Sequence, residues 1–293
     1  MRSGFISIVG RPNVGKSTLL NRLVGQKVAI VTAKPQTTRN RILAVANRPD
    51  AQMVFYDTPG IHKGRYAMDR MMLQAALSSL KRVDIILLMI DVGKRFGSRD
   101  EHVMKLINEV HVPVILGINK IDSSKKHDIL PVIDAYRHKH DFADIVPFSA
   151  LTGDNVDRLE SVLKSYLPEG EVLYPEETLT DRPERFFISE MVREKIMELT
   201  RQEVPHSTAV LIDSWEDGDE LTRIEASVLV ERDSQRVILL GRGGSMMKKI
   251  GTAARKDAEA FLGTKVYLGL HVKVRGDWRE NRQLLTELGI DSR

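Results

Sequence analysis

Gly10-Arg11-Pro12-Asn13-Val14-Gly15-Lys16-Ser17 decides the fold of the first half of this 293-residue chain. The stretch fits G-x-x-x-x-G-K-[ST]. Phe5–Val9 before it is a run of large apolar residues, and a helical pattern opens near Thr18 behind it. A loop between strand and helix must turn tightly for its backbone N–H groups to converge on phosphate oxygens, which is why glycines stand at both ends. The following helix N-terminus adds its positive dipole end. Lys16 then reaches the β- and γ-phosphates, and the Ser17 hydroxyl faces Mg²⁺. Gly10, Asn13, Val14, Gly15, Lys16, Ser17 and Thr18 are thus the candidate phosphate cradle. An ordinary glycine turn is the alternative, and the strand–loop–helix context argues against it.

Outward from this loop, buried-strand patterns recur at Gln52–Tyr56, Ile85–Ile90, Val112–Ile118 and Ile145–Phe148. Amphipathic stretches at Arg70–Leu80, Asp100–Glu109 and Val156–Leu167 lie between and after them. Such alternation predicts an α/β domain over residues 1–168, a doubly wound and mostly parallel sheet with ligand loops at the strands' C-terminal ends. Asp57-Thr58-Pro59-Gly60 closes the second strand. A carboxylate there can hold Mg²⁺, and the Gly60 N–H can sense a γ-phosphate, although D-x-x-G alone is usually a plain turn. Asn119-Lys120-Ile121-Asp122 chooses the base. The Asp122 carboxylate accepts from guanine N1–H and the 2-amino group, and adenine would leave it unpaired in a desolvated site. Asn119 braces the loop and the purine, and the Lys120 stem covers the base face. Ser149-Ala150-Leu151 follows the last strand, where the Ala150 N–H can donate to guanine O6.

Pro168–Pro183 is rich in proline and acidic residues, so residues 169–184 read as a linker and 185–293 as a second domain with a C-terminal tail. Arg185–Arg201 reads as a helix with Ile188, Met191, Val192, Ile196 and Leu199 toward a core. Thr208–Trp215, Ile224–Glu231 and Arg236–Leu240 are strand-like, a helix spans Ser245–Leu262 and a strand Lys265–Val274. Counted run by run this is α-β-β-β-α-β, which we match to an α-β-β-α-β order. Gly241-Arg242-Gly243-Gly244 at the start of the Ser245 helix fits the G-x-x-G of a prokaryotic-type KH module, whose outer glycines let the backbone lie against a single nucleic-acid strand. Met247, Ile250, Ala254, Ala258 and Phe261 give the helix a core stripe. A tight left-handed turn is the usual alternative for G-x-x-G.

Charge separates the two readings. Ser234–Arg275 holds nine Lys/Arg against Asp257 and Glu259, whereas Asp181–Asp233 holds seven basic and fourteen acidic residues. One basic face aimed at a polyanion is the implication. Gly241, Arg242, Gly243, Gly244, Lys248 and Lys249 are the candidate RNA contacts. The chain contains no cysteine, which excludes disulfides, thiolate metal sites and cysteine nucleophiles and suits a reducing compartment. No secretory signal pattern and no apolar run near the ~20 residues of a bilayer span are present, so a cytoplasmic protein is expected.

Taken together, G-R-P-N-V-G-K-S-T-L-L-N, Gln36-Thr37-Thr38-Arg39, D-T-P-G, N-K-I-D and S-A-L resemble the Era GTPase family, and the resemblance runs through nearly the whole chain. It implies hydrolysis of GTP to GDP and phosphate, which Ile61, next after Gly60, leads us to expect to be slow. Lys16, Thr38 and Gly60 would be the catalytic residues, and Ser17, Thr38 and Asp57 the Mg²⁺ set, with Thr38 favoured over Thr37 as the switch threonine. It implies binding to the 3′ end of small-subunit (16S) ribosomal RNA, a role in 30S subunit assembly and peripheral association with the inner membrane; a monomer is expected, although the sequence does not decide the oligomeric state. The position after Gly60 is Ile61, which has no hydrogen-bonding group to orient a water as glutamine does in Ras-type enzymes. Asn13 is a candidate K⁺ ligand that would supply the missing charge; the other reading is that it stabilises the loop turn. Competing functions are an RNA chaperone with a structural nucleotide site, an ATP-driven kinase or helicase, and a transfer-RNA-modifying GTPase. Asp122 and the lack of helicase motifs count against the second, the missing cysteine and the second half against the third.

Overall fold

The computed structural model describes residues 1–60 and 66–290. The chain divides after Asp181 into two compact units, with Tyr66–Met68 grouped with the second.

In the first unit the strands are β1 (Arg2–Gly10), β2 (Ile42–Arg48), β3 (Ala51–Asp57), β4 (Ile85–Asp91), β5 (Val114–Asn119) and β6 (Asp144–Pro147). The helices are α1 (Lys16–Val24), α2 (Ala67–Ser78), α3 (Ser98–Ile107), α4 (Lys126–Arg137) and α5 (Val156–Tyr166). The sheet runs β2-β3-β1-β4-β5-β6. All pairings are parallel except β2 with β3. Ile6, Ile8 and Val9 of β1 and Ile85–Leu88 of β4 are buried, as strands covered on both faces must be. The strand order reverses at β1, and that reversal opens the crevice in which the Gly10–Ser17 loop lies.

Two elements escape the sequence patterns. β2 forms a tight hairpin with β3 in which Arg48 faces Ala51 across Pro49-Asp50. Its Ala and Asn positions have weak strand propensity, and pairing with β3 is what makes it a strand. α4 carries an internal Pro131 and buries only Tyr136, so its apolar periodicity is faint.

The segment expected to be a linker is held along the first unit. Val45 N–H donates to Leu179 O at 2.9 Å, and the buried Gln52 side chain accepts from the Leu173 and Tyr174 N–H groups.

The second unit packs α6 (Glu184–Leu199), α7 (Asp233–Leu240) and α8 (Ser245–Leu262) with a three-stranded sheet β7-β8-β9 (Ala209–Glu216, Leu221–Val230, Lys265–Val274). α9 (Arg282–Glu287) follows. β7 is antiparallel to β8, and β8 is parallel to β9. Val192, Ile196, Val228, Leu239, Ile250 and Ala254 form its core. Leu199, expected in that core, is exposed, because α6 ends there.

The expected strand Arg236–Leu240 is instead the body of α7. Five apolar-rich residues do not distinguish strand from helix by period. The Gln235 side chain decides it: its Oε1 accepts from the Glu231 and Arg232 N–H groups at 2.9 and 3.1 Å, capping the helix. The order is therefore α-β-β-α-α-β.

Candidate functional site

Gly10 and Gly15 adopt left-handed backbone angles, φ 152° and 101°, and neither tolerates a Cβ. At Gly10 it would lie 2.3 Å from Met89 O, and at Gly15 2.2 Å from the Asn119 amide nitrogen. The loop is pressed against β4 and the Asn119 loop, which leaves its concave side for a ligand. Lys16 is buried, and its Nζ donates to Gly10 O and Arg11 O at 3.3 and 3.1 Å. Asp57, at the end of β3, is fully buried. Its Oδ2 accepts from Ser17 Oγ at 2.7 Å and from Thr38 Oγ1 at 3.4 Å, and the two hydroxyls lie 2.9 Å apart.

Burial lowers the Lys16 pKa, with Asp57 acting against it. Burial also raises the Asp57 carboxyl, against the pull of Lys16, Ser17 and Thr38. Both charged forms are thus short of compensation. Lys16 calls for an anion and Asp57 for a cation, and a metal-bound phosphate chain supplies both. The residues fit Mg²⁺ on a further ground. Asp57 Oδ1 is buried and has no hydrogen-bond partner among the described residues, although buried carboxylate oxygens are costly to leave unpaired.

Thr37 is placed differently from Thr38. Its Oγ1 donates to Lys34 O at 2.7 Å and lies 2.8 Å from Thr32 Oγ1, so it closes its own turn. One cleft is lined by Lys16, Ser17, Thr18, Thr38 and Gly60. A Cβ on Gly60 would come within 3 Å of Pro12. Ile61 lies outside the described residues. Asn13 has φ 64°, and its side-chain amide donates to Ala33 O at 2.7 Å, while its backbone carbonyl accepts from Lys120 Nζ at 2.8 Å.

The Asn119–Asp122 and Ser149–Leu151 stretches meet beside the phosphate loop. Asn119 donates to Val14 O at 2.7 Å and accepts from the Ala150 N–H at 2.8 Å. That N–H, expected to be reserved for guanine O6, is thus already held by Asn119. Lys120 also pairs with Asp91 Oδ2 at 2.8 Å. No sequence motif singles out Asp91; its signal is register, because Asp91 at the end of β4 sits opposite Asn119. Asp122 accepts from the buried Ser149 Oγ at 2.5 Å and is itself exposed, so the desolvation that makes a wrong base costly must come from the base. The Leu151 side chain is exposed, and its backbone carbonyl accepts from Arg22. Arg22 also lies outside the motifs: its guanidinium donates to Ala150 O and Leu151 O.

In the second unit Gly241, Gly243 and Gly244 all have left-handed backbone angles, φ 69°, 58° and 78°. A Cβ on Gly241 would meet the Met246 backbone nitrogen at 2.9 Å, whereas beside Gly243 and Gly244 there is open space. The loop therefore presents a bare backbone outward. Arg242, Lys248 and Lys249 around it are exposed. Ile250, Ala254 and Ala258 bury the opposite face of α8; Phe261, at its far end, is 38% exposed and packs against Phe187.

A family model described as "50S ribosome-binding GTPase" matches residues 5–120, and one for the KH domain matches residues 203–279. GTPase Era of Geobacter metallireducens is 48% identical over 290 residues, covering 98% of this chain and 97% of that protein. GTPase Era of Lacticaseibacillus paracasei is 50% identical over 293 residues, covering 99% and 97%. Among solved structures, a point variant of Aquifex aeolicus Era bound to GDP and aluminium fluoride is 43% identical with a TM-score of 0.96, covering 99% of this chain and 100% of that one. A structure of Era with MgGDPNP and nucleotides 1506–1542 of 16S ribosomal RNA is 44% identical with a TM-score of 0.97, and 99% of each chain is covered.

Proposed function

The chain belongs to the Era GTPase family, and on that ground we propose a GTPase that binds the 3′ end of small-subunit ribosomal RNA and acts in 30S subunit assembly. The observation that carries the nucleotide half is the Ser17–Thr38–Asp57 cluster beside Lys16, with one Asp57 oxygen left for a cation. Ser17, Thr38 and Asp57 hold the Mg²⁺, directly or through water, and the loop N–H groups with Lys16 hold the phosphates. When bound, the metal neutralises charge building between the β- and γ-phosphates. Thr38 and the Gly60 N–H would sense the presence of a γ-phosphate. On guanine binding, the Ala150 N–H is shared between Asn119 Oδ1 and O6 as a three-centre bond, while Asp122 trades Ser149 for the base. The Gly241–Gly244 backbone with Arg242, Lys248 and Lys249 takes the RNA strand.

Asn13 lies at the mouth of the phosphate loop, with its amide turned to Ala33 O. A rotation of its side chain would face a K⁺ ion, the charge that replaces an arginine finger in a chain with no glutamine after Gly60. We place the protein's work in the cytoplasm as a monomer, with any membrane association peripheral. No helix among the described residues is long and apolar enough to cross a membrane. GTP turnover with Mg²⁺, measured in K⁺ and in Na⁺ buffer with ATP as competitor, tests the reading. Turnover is expected to be slow, faster in K⁺ and unaffected by ATP. Absence of turnover would favour an RNA chaperone with a structural nucleotide site, and equal rates in the two buffers would remove the K⁺ role. Crosslinking in cell extract followed by sequencing of the bound RNA tests the ribosomal half.

A further inference from the structure

Arg22 stands in the last turn of α1, six residues beyond Lys16 and outside every nucleotide motif. Its guanidinium reaches the loop that carries Ser149-Ala150-Leu151. Nε donates to Ala150 O at 2.7 Å and Nη2 to Leu151 O at 2.5 Å. The third nitrogen lies against Gly153, where an added Cβ would fall 2.7 Å from Nη1. Gly153 has φ 91°, and its N–H closes the loop onto Ser149 O at 2.9 Å. The guanidinium plane therefore fills the concave side of the loop, satisfying two successive carbonyls and so fixing the two peptide planes that follow Ala150, while the Gly153 N–H holds the carbonyl of the plane that carries the Ala150 N–H. From the other side Asn119 holds the Ala150 N–H and is tied to Val14 O. A planar fork of donors sets two carbonyls at once, which a lysine ammonium on a flexible stem does not.

We propose that Arg22 is a specificity-positioning residue, which locks the 149–153 loop to the helix behind the phosphate loop and so sets the donor that reads position 6 of the purine. It does not touch the nucleotide. This role rests on the guanine-site reading above. It makes α1 a rigid bar with the phosphates read at its first residue and the base loop fixed at its last turn. Arg22 thereby converts phosphate registry into base registry.

The test measures dissociation constants for GDP, for 6-thio-GDP, which alters only the atom at position 6, and for IDP, which lacks only the 2-amino group. Wild type, Arg22→Ala and Arg22→Lys are compared, each with its thermal unfolding curve. Arg22→Ala is expected to weaken GDP about tenfold, the scale of one good hydrogen bond, and to weaken 6-thio-GDP much less. The ratio of GDP to 6-thio-GDP affinity then shrinks while the ratio of GDP to IDP affinity, read by Asp122, is kept. In GTP turnover the loss falls on KM more than on kcat, and Arg22→Lys is intermediate. Equal weakening of all three nucleotides, with both ratios kept, would reduce Arg22 to a brace for the fold and overturn the proposal. So would unchanged GDP affinity in a folded Arg22→Ala protein. If wild type itself shows no preference for GDP over IDP, the guanine-site reading fails, independently of Arg22.

Discussion

Lys16 and Asp57 are both buried, and burial opposes the charged form of each. A site built this way is unfinished until a phosphate and a cation arrive, so residues around it should report ligand charge rather than fold stability. Thr38 and Thr37 are neighbours with different work. Thr38→Ala should abolish the extra tightness that Mg²⁺ gives to a non-hydrolysable GTP analogue over GDP, because it removes the hydroxyl beside Ser17 and Asp57. Thr37→Ala should leave that difference and loosen only the Thr32–Lys34 turn. Nucleotide titrations with and without Mg²⁺ decide, and equal losses in the two variants would refute the assignment. At the base end, Asp122→Asn should move preference from GTP toward XTP, whose 2-oxo group accepts from the new amide. Full retention of GTP preference would show that Asp122 does not read the base. The Asp122 expectation came from a contiguous motif, where a few residues build a loop by themselves, whereas Thr38 was named only through the family resemblance. The partners Asp91 and Arg22 were not legible, because nothing local to them is unusual.

The elements differ in how much of their form is local. β4 and β5 are apolar up to their last residues, Asp91 and Asn119, since a central parallel strand is covered on both faces. The α7 segment has the same kind of short apolar run but becomes a helix. The reason is a cap: the buried Gln235 side chain takes up the Glu231 and Arg232 N–H groups at its first turn. The loop that follows α7 depends on glycine for its left-handed backbone. Gly244→Asp would force a side chain into φ 78° and place a carboxylate on the face left open for a phosphate. RNA affinity should fall tenfold or more, an estimate on the order of one lost charge-assisted contact, and the remaining affinity should fall steeply with salt, as phosphate contacts do. Filter binding of a single-stranded RNA across a salt series measures both. Unchanged affinity would move the RNA site away from this loop.

Across the full chain, a nucleotide switch and an RNA module in one polypeptide are worth more than two separate proteins only if they are coupled. If Thr38 and Gly60 sense Mg²⁺ and the γ-phosphate as proposed, they belong to segments of the kind that order in the GTP form of such enzymes and relax after hydrolysis. We expect RNA affinity to differ between the GDP-bound and GTP-analogue-bound protein. Linkage then requires RNA to shift GTP affinity by the same factor. Titrating RNA into both forms, and nucleotide into free and RNA-bound protein, measures each side. Equal RNA dissociation constants in the two forms would mean that the two units only share a chain.

The division of labour between chain and fold follows from distance along the sequence. The glycine loops, the carboxylate at the end of β3, the Asn119–Asp122 stretch and the basic run Ser234–Arg275 were legible because a strand end, a tight turn or a charge run is specified by adjacent residues. Tertiary structure alone brought Thr38 onto Asp57, Lys120 onto Asp91 and Arg22 onto carbonyls 128 and 129 residues away. It also laid residues 169–180 along the first sheet instead of leaving them as a tether, through the hydrogen bonds of Gln52 and Val45. A hydrogen bond across such separations leaves no local pattern, since it depends on strand register and on which backbone groups the sheet leaves unpaired.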